Sequence, residues 1–166
     1  MDSAVQAERQ PTGADVELVR EAMRLAQASL DSGNHPFGAL LAGPDGEILI
    51  RAENTYSTDR LGHVELNVAR EAARRYSPEF LAGCTLVTSV EPCAMCAGGT
   101  YWAGIGRVVF GMTEHRLGEI TGDHPENMTL ALPCREVFAA GRRKVEVVGP
   151  ILELDAEIAR AHRDFW

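Results

Sequence analysis

Several features are scarce in this chain of 166 residues, and each scarcity narrows what it can be. No stretch approaches the ~18 consecutive apolar residues of a membrane-spanning helix, so no membrane span is expected. The opening residues, MDSAVQAERQPTGAD, have no apolar centre, which argues against a secretory signal. Positive charge is short: 16 Lys and Arg stand against 24 Asp and Glu, for a net charge of −8. Nucleic-acid binding needs a basic surface that neutralises phosphates. Arg74-Arg75 and Arg142-Arg143-Lys144 are too short to supply one, so no nucleic-acid partner is expected. Cysteine is confined to Cys84, Cys93, Cys96 and Cys134. Without a signal segment these point to a reducing, cytoplasmic location and not to a disulfide framework. Internal repeats and low-complexity tracts are missing too.

What is present suits one globular domain: 45% hydrophobic and 24% charged residues, on a chain long enough for its own core. A loose N-terminal tail is expected over residues 1–14 and a single domain over 15–166. Apolar residues at Val16, Val19, Ala22, Met23, Ala26 and Leu30 carry a helical period, with Asp15 as a cap and Gly33 as a stop. Residues 37–42 and 47–52 flank the turn Gly43-Pro44-Asp45-Gly46 and read as a hairpin. A helix from His63 to about Tyr76, a strand over 85–90 and a helix from Cys93 to about Ala103 follow. Further strands are expected over 107–111 and 145–148, a short helix over 136–140, and a last helix from Leu152 to Phe165. Residues 112–131 look irregular. Strands alternating with helices after a hairpin imply an α/β fold: a three-layer α/β/α sandwich, its mixed five-stranded sheet covered by helices on both faces.

Two short stretches carry the chemistry, His63-Val64-Glu65 and Pro92-Cys93-Ala94-Met95-Cys96. Cysteines three apart share one face of a helical turn, and Pro92 suits the first turn. A helix N-terminus carries partial positive charge, which favours the thiolates that zinc binds. His63 and Glu65 would point ~200° apart inside a helix, from ~100° per residue. At a helix start the first residue need not be helical, so His63 can bind a metal while Glu65 sits beside it. His63, Cys93 and Cys96 as zinc ligands leave the fourth tetrahedral position open, as in a catalytic site. Glu65 is then the group that accepts and returns protons. A structural zinc would need a fourth ligand from His115, His124, Cys84 or Cys134. A redox C-x-x-C pair would need no H-x-E.

Together the two stretches match the H-x-E and P-C-x-x-C signature of zinc deaminases, and the chain resembles the cytidine-deaminase-like superfamily. Within it, the resemblance is nearest to guanine deaminases and related nucleobase deaminases, from about Val16 to Trp166. Pro36-Phe37-Gly38-Ala39 resembles their G-P-F-G-A, Tyr101-Trp102-Ala103 their I-Y-W-A, and Thr113-Glu114-His115 their A-E-H. The resemblance implies hydrolytic removal of an amino group from a nucleobase-like heterocycle, guanine or a related purine first, releasing ammonia. Cytosine, nucleosides and triazines are alternatives. A tRNA adenosine deaminase fits less well, because the D-x-K-x-G-A-x-G-S pattern is missing after the fourth strand. It also implies a homodimer. Asn54 falls where the family has a pocket asparagine. Val64 replaces Ala and adds bulk beside the substrate ring. Glu119 or Asp123 would hold purine N–H groups. Phe37 is a stacking candidate or a core aromatic. Trp166 is placed to close a pocket, its own or a partner's, or else simply packs on the sheet. His35, His115, His124 and His162 read as surface or loop residues, and Cys84 and Cys134 as buried small hydrophobes.

Overall fold

The computed structural model describes residues 8–166. The first three helices and first two strands are α1 (Gly13–Asp31), β1 (Ala39–Ala42), β2 (Ile48–Ala52), α2 (Val64–Arg75) and α3 (Pro78–Leu81). They are followed by β3 (Thr85–Val90), α4 (Ala94–Ala103), β4 (Arg107–Met112) and α5 (Glu114–Thr121). The chain ends with α6 (Cys134–Ala139), β5 (Glu146–Val148) and α7 (Leu152–Phe165). The sheet order is β2-β1-β3-β4-β5. β1 runs antiparallel to β2 and β3, whereas β3, β4 and β5 are parallel. This is the mixed five-stranded α/β sheet that the element order implies.

Period-two alternation sorts the strands between two cores. Ala39, Leu41, Leu86, Val108 and Phe110 face one cluster, which is closed by Val64 and Val68 of α2, Ala97 of α4 and Phe138 of α6. Leu40, Val87 and Val109 face the other, which also takes in Val90 and Met112, out of that alternation at the strand ends, and is closed by Val19 and Ala22 of α1 and by Leu154 and Ile158 of α7. Gly38 lets β1 start against α1: a Cβ there would lie 1.7 Å from the Ala22 carbonyl oxygen.

Three local expectations are corrected. α1 starts earlier than Asp15, capped by Thr12, whose side chain accepts from the Asp15 amide while Asp15 returns a bond to the Thr12 amide. Asp15 is thus the third helical residue of a capping box, and its carboxylate also takes two bonds from Arg107, at 2.8 and 2.9 Å. The expected tail, residues 1–14, lies partly outside the described residues; within them, 8–12 form neither helix nor strand. Residues 114–121, expected to be irregular, form α5, whose buried stripe is Glu114, Leu117 and Thr121. That stripe has helical spacing, but two of its three members are polar, so hydrophobic periodicity misses it. His162 is interior to α7 and 1% exposed, neither a surface nor a loop residue, while His35 keeps its loop position but is only 7% exposed.

Candidate metal centre and active site

The sheet register brings the chemistry to one end. Ala39 at the start of β1 pairs with Ala52 at the end of β2 and with Thr88 near the end of β3. Val90 pairs with Met112, so β3 and β4 finish level. Phe37, Asn54, Cys93 and Glu114 therefore leave the sheet at the same edge. His63 is returned there by a closed loop. The Thr55 amide donates to the Gly62 carbonyl at 2.8 Å, and the Asn67 side chain donates to the Glu53 carbonyl at 2.9 Å. Gly62 fits because a Cβ would fall 2.1 Å from the Thr55 hydroxyl.

His63 and Cys93 hold the same backbone position on two packed helices. Each is the extended residue just before the first turn, of α2 and α4 respectively, and neither side chain caps its own helix. Both are thereby free to turn inward. Pro92 precedes Cys93 and lies outside the helical turn that was expected to contain it. Cys96 sits one turn further in and is fully buried. The Cys93 and Cys96 sulfurs are 3.5 Å apart, and each lies 3.6 Å from His63 Nδ1. A tetrahedral zinc with ligand distances of about 2.0–2.3 Å has edges of about 3.3–3.8 Å between its ligand atoms. The triangle matches that size, and one nitrogen with two sulfurs is a donor set that suits zinc. His115, His124, Cys84 and Cys134 stand outside the cluster among the described residues, so no fourth side chain closes it.

Glu65 belongs to the first turn of α2, and its Oε2 lies 3.8 Å from the Cys96 sulfur. Burial, reinforced by negative charge on Cys93, raises its carboxyl to about 7. The contact between the two sulfurs lowers Cys93 to about 4, while the same contact and burial raise Cys96. Hydrogen bonding to Cys93 raises His63.

Two residues with no role assigned from sequence support this edge, Glu91 and the Glu114 of the Thr113-Glu114-His115 stretch. Glu91 is buried, and its two oxygens accept from the amides that open α5 and α6, Glu114 N at 3.0 Å and Cys134 N at 2.8 Å. Pro133 offers α6 no side-chain cap, so Glu91 takes that place. Glu114 is buried, and burial, then the negative charges of Cys93, Glu65 and Glu91, raises its carboxyl to about 8. A charged residue directly before Pro92-Cys93, between an apolar strand and a metal-type motif, was the available signal for Glu91.

The C-terminus docks on the same edge. Trp166 Nε1 donates to His162 Nδ1 at 3.0 Å, and the Trp166 ring meets His35 at 4.9 Å and Phe37 at 6.3 Å. Spacing could have revealed His162, because Leu154, Ile158 and His162 lie four apart on the buried stripe of α7. Trp donates only, so His162 is neutral with its proton on Nε2. Burial, then the charge of His35, lowers its pKa from 6.5 to about 4. Below about pH 6.5 the unfolded chain takes up a proton that the folded chain refuses until about pH 4. The stability tied to neutral His162 is thus complete above pH 6.5 and declines as pH falls toward 4. Replacing His162 by Phe is expected to flatten the melting temperature between pH 7 and 5 relative to the parent chain. Equal pH slopes in the two proteins would refute this.

The remaining sequence candidates are scattered in burial. Asn54 is 2% exposed, and its Oδ1 accepts from the Tyr56 amide at 2.9 Å. Phe37 packs 4.9 Å from the His162 ring. Val64 is fully buried within the α2-side cluster. Asp123 is exposed in the turn after α5. Glu119 is half exposed and tied to Arg116 at 3.1 Å. Trp102 is 86% exposed, its ring edge-on to Tyr101 at 6.0 Å. A cleft of about 450 Å³ lies between α1 and α7 but contains none of the three clustered ligand residues. Two of its arginines are occupied by carboxylates, Arg20 by Glu17 and Glu157, and Arg24 by Glu21.

Known proteins agree with this geometry. A Schizosaccharomyces pombe protein described as "Probable cytosine deaminase" is 34% identical over 153 residues, 92% of each chain. The guanine deaminase of Bacillus subtilis is 37% identical over 101 residues, 59% of this chain and 64% of that protein. A solved guanine deaminase from Nitrosomonas europaea has the same fold, with a TM-score of 0.70 at 19% identity over 96% of this chain and 89% of that one. Residues 13–112 match the cytidine and deoxycytidylate deaminase zinc-binding region. That segment contains His63, Glu65, Cys93 and Cys96, and with it zinc becomes the cofactor and hydrolytic deamination the activity. The chain belongs to the cytidine and deoxycytidylate deaminase zinc-binding family.

Proposed function

We propose that this protein removes an exocyclic amino group from a free nucleobase, guanine or a related purine, using water and releasing ammonia. The observation that carries the reading is the pairing of an open three-donor triangle with a buried carboxyl whose Oε2 lies 3.8 Å from one of its sulfurs. His63, Cys93 and Cys96 hold the zinc, which when bound lowers the pKa of water and so supplies a nucleophile at neutral pH. Glu65 does the proton work. A carboxyl near pH 7 can both accept and release a proton under the same conditions. It takes a proton from water and gives it to a ring nitrogen, then takes the second proton from the hydroxyl now on carbon and gives it to the departing amine. The amine-bearing carbon gains a carbonyl oxygen, and nitrogen leaves as ammonia. Asn54 offers a donor and an acceptor to a base edge, and Phe37 offers a ring face.

Cytosine is the second reading, supported by the S. pombe relative that matches 92% of the chain. Ammonia release from guanine, cytosine, adenine, their nucleosides and triazine analogues decides between them. Guanine should give the highest kcat/KM. A higher value for cytosine selects the second reading, and no release from any heterocycle refutes both.

In the same reading the docked tail closes the pocket and keeps water away from the reacting atoms. Deleting Asp164-Phe165-Trp166 should lower kcat/KM by about tenfold, the value of roughly one 1.4 kcal/mol contact, with fold and zinc retained. Unchanged kcat/KM in a folded truncation would make the tail mere packing.

A further inference from the structure

We propose that Asn67 is a positioning residue of this site: its side chain clamps both limbs of the 53–63 loop onto α2 and so holds Asn54 in register with Glu65. The proposal rests on the deaminase reading and concerns a residue outside the reacting groups.

The two ends of that loop have different duties. Asn54 leaves β2 two residues after Ala52, and His63 is the extended residue that precedes α2. The residues between them form neither helix nor strand. Backbone bonds close the loop on itself, from the Thr55 amide to the Gly62 carbonyl and from the Gly62 amide to the Asp59 carbonyl, each at 2.8 Å. At its tip the Ser57 amide reaches the Asn34 side chain at 3.1 Å. None of these bonds sets the limbs against α2.

Asn67 does so. Its Nδ2 donates to the Glu53 carbonyl at 2.9 Å and to the Thr55 hydroxyl at 3.1 Å, with the Gly62 carbonyl at 3.4 Å. Glu53 adjoins Asn54 on the outgoing limb, and Gly62 adjoins His63 on the returning one. Acceptor carbonyls on both limbs require the nitrogen end of the amide. The helix that carries Asn67 is itself fixed: Val64 and Val68 are fully buried, and Ala69 and Ala72 nearly so. Glu65 stands two residues before Asn67 on that helix.

The Asn54 side chain follows its backbone. It is 2% exposed, and its Oδ1 is bound to the Tyr56 amide at 2.9 Å, so it moves with residues 54–56 as a unit. The Asn67 clamp grips that unit on both sides, at Glu53 and Thr55. A misplacement of about 1 Å between bound substrate and a catalytic group can cost on the order of 10²-fold. Asn67 lies outside the ligand cluster, and the first turn of α2 holds His63 without it.

The test compares the zinc-loaded parent with Asn67→Ala, Asn67→Asp, Asn54→Ala and the double variant Asn54→Ala/Asn67→Ala. Measured are kcat and KM on the best base of the panel, the dissociation constant of its deaminated product, zinc content and melting temperature. Asn67→Ala should raise KM and the product dissociation constant about tenfold, roughly one 1.4 kcal/mol contact, with kcat less affected and one zinc retained. Ala is the better helix former, which offsets the lost bonds and keeps the melting temperature close to that of the parent. Asn67→Asp, nearly isosteric but with an oxygen facing the carbonyls, should do at least as much and carries the same comparison if the Ala variant does not fold. In the Asn54→Ala background the Asn67 change should add less than about threefold, because a residue that acts through Asn54 has nothing left to position. Full multiplication of the two effects, unchanged KM and product affinity, or loss of zinc would each overturn the proposal. So would a lower melting temperature with product binding intact, the mark of a purely structural bond. A parent protein that deaminates nothing refutes the function itself, an outcome separate from any of these.

Discussion

Glu65→Gln should leave a folded protein with its zinc and almost no turnover. Glu65 is 5% exposed in the first turn of α2, and burial holds its carboxyl near 7. Gln matches it in size and keeps an oxygen for the Cys96 contact, so packing should not change. It cannot accept a proton and return it. General acid–base groups contribute ~10²–10⁴-fold, and one carboxyl here serves several successive transfers, so the loss should lie near the upper end. Zinc by atomic absorption and kcat on the best base of the panel measure the two halves of the expectation. Turnover within about tenfold of the parent, well inside the range for such groups, would mean that another residue carries the protons.

Cys96→Ala should abolish zinc binding and activity together. Cys96 is fully buried, and its sulfur stands 3.5 Å from Cys93 and 3.6 Å from His63. Removing it leaves two donors where a catalytic zinc needs three protein ligands. Metal that binds only the folded chain stabilises it by mass action, so the variant should also melt lower than the zinc-loaded parent. Cys84→Ala is the control. Cys84 is equally buried but lies outside the ligand cluster. It should cost some packing stability and keep one zinc per chain. Full zinc occupancy in Cys96→Ala would remove the proposed ligand set.

The strands and the metal-type residues were legible for different reasons. β3 could be read from Thr85 to Val90 because it is a run of strand formers bounded by turns, and α7 could be read from Leu152 to Phe165 because its apolar face repeats every three to four residues. Cys93 and Cys96 identify themselves by residue type and spacing. His63 and Glu65 require the added thought that a helix begins between them, and α2 does start at Val64. α5 and its Glu114 were hidden because a buried carboxyl in a helical stripe looks like solvent-facing polarity in one dimension. His162 was hidden the same way, by a polar residue type at a core position of α7. What makes each tolerable is a tertiary partner distant in sequence. Glu91 lies 23 residues from the amide it holds at Glu114 and 43 from the one at Cys134. No local pattern encodes such a pairing.

That double grip by Glu91 has a bearing on how the protein can vary. The chain between Glu114 and Cys134 is gathered at both ends on one carboxylate, so it behaves as a loop whose feet do not depend on its span. Doubling the length of such a loop costs only about 0.6 kcal/mol in closure entropy. Its outer part, with Met128 82% and Leu130 58% exposed, adds little to either core. Insertions, deletions and sequence drift between Gly122 and Leu132 can therefore accumulate while the cysteine turn keeps its register. Length variation in that segment should therefore leave the zinc content of the chain unchanged.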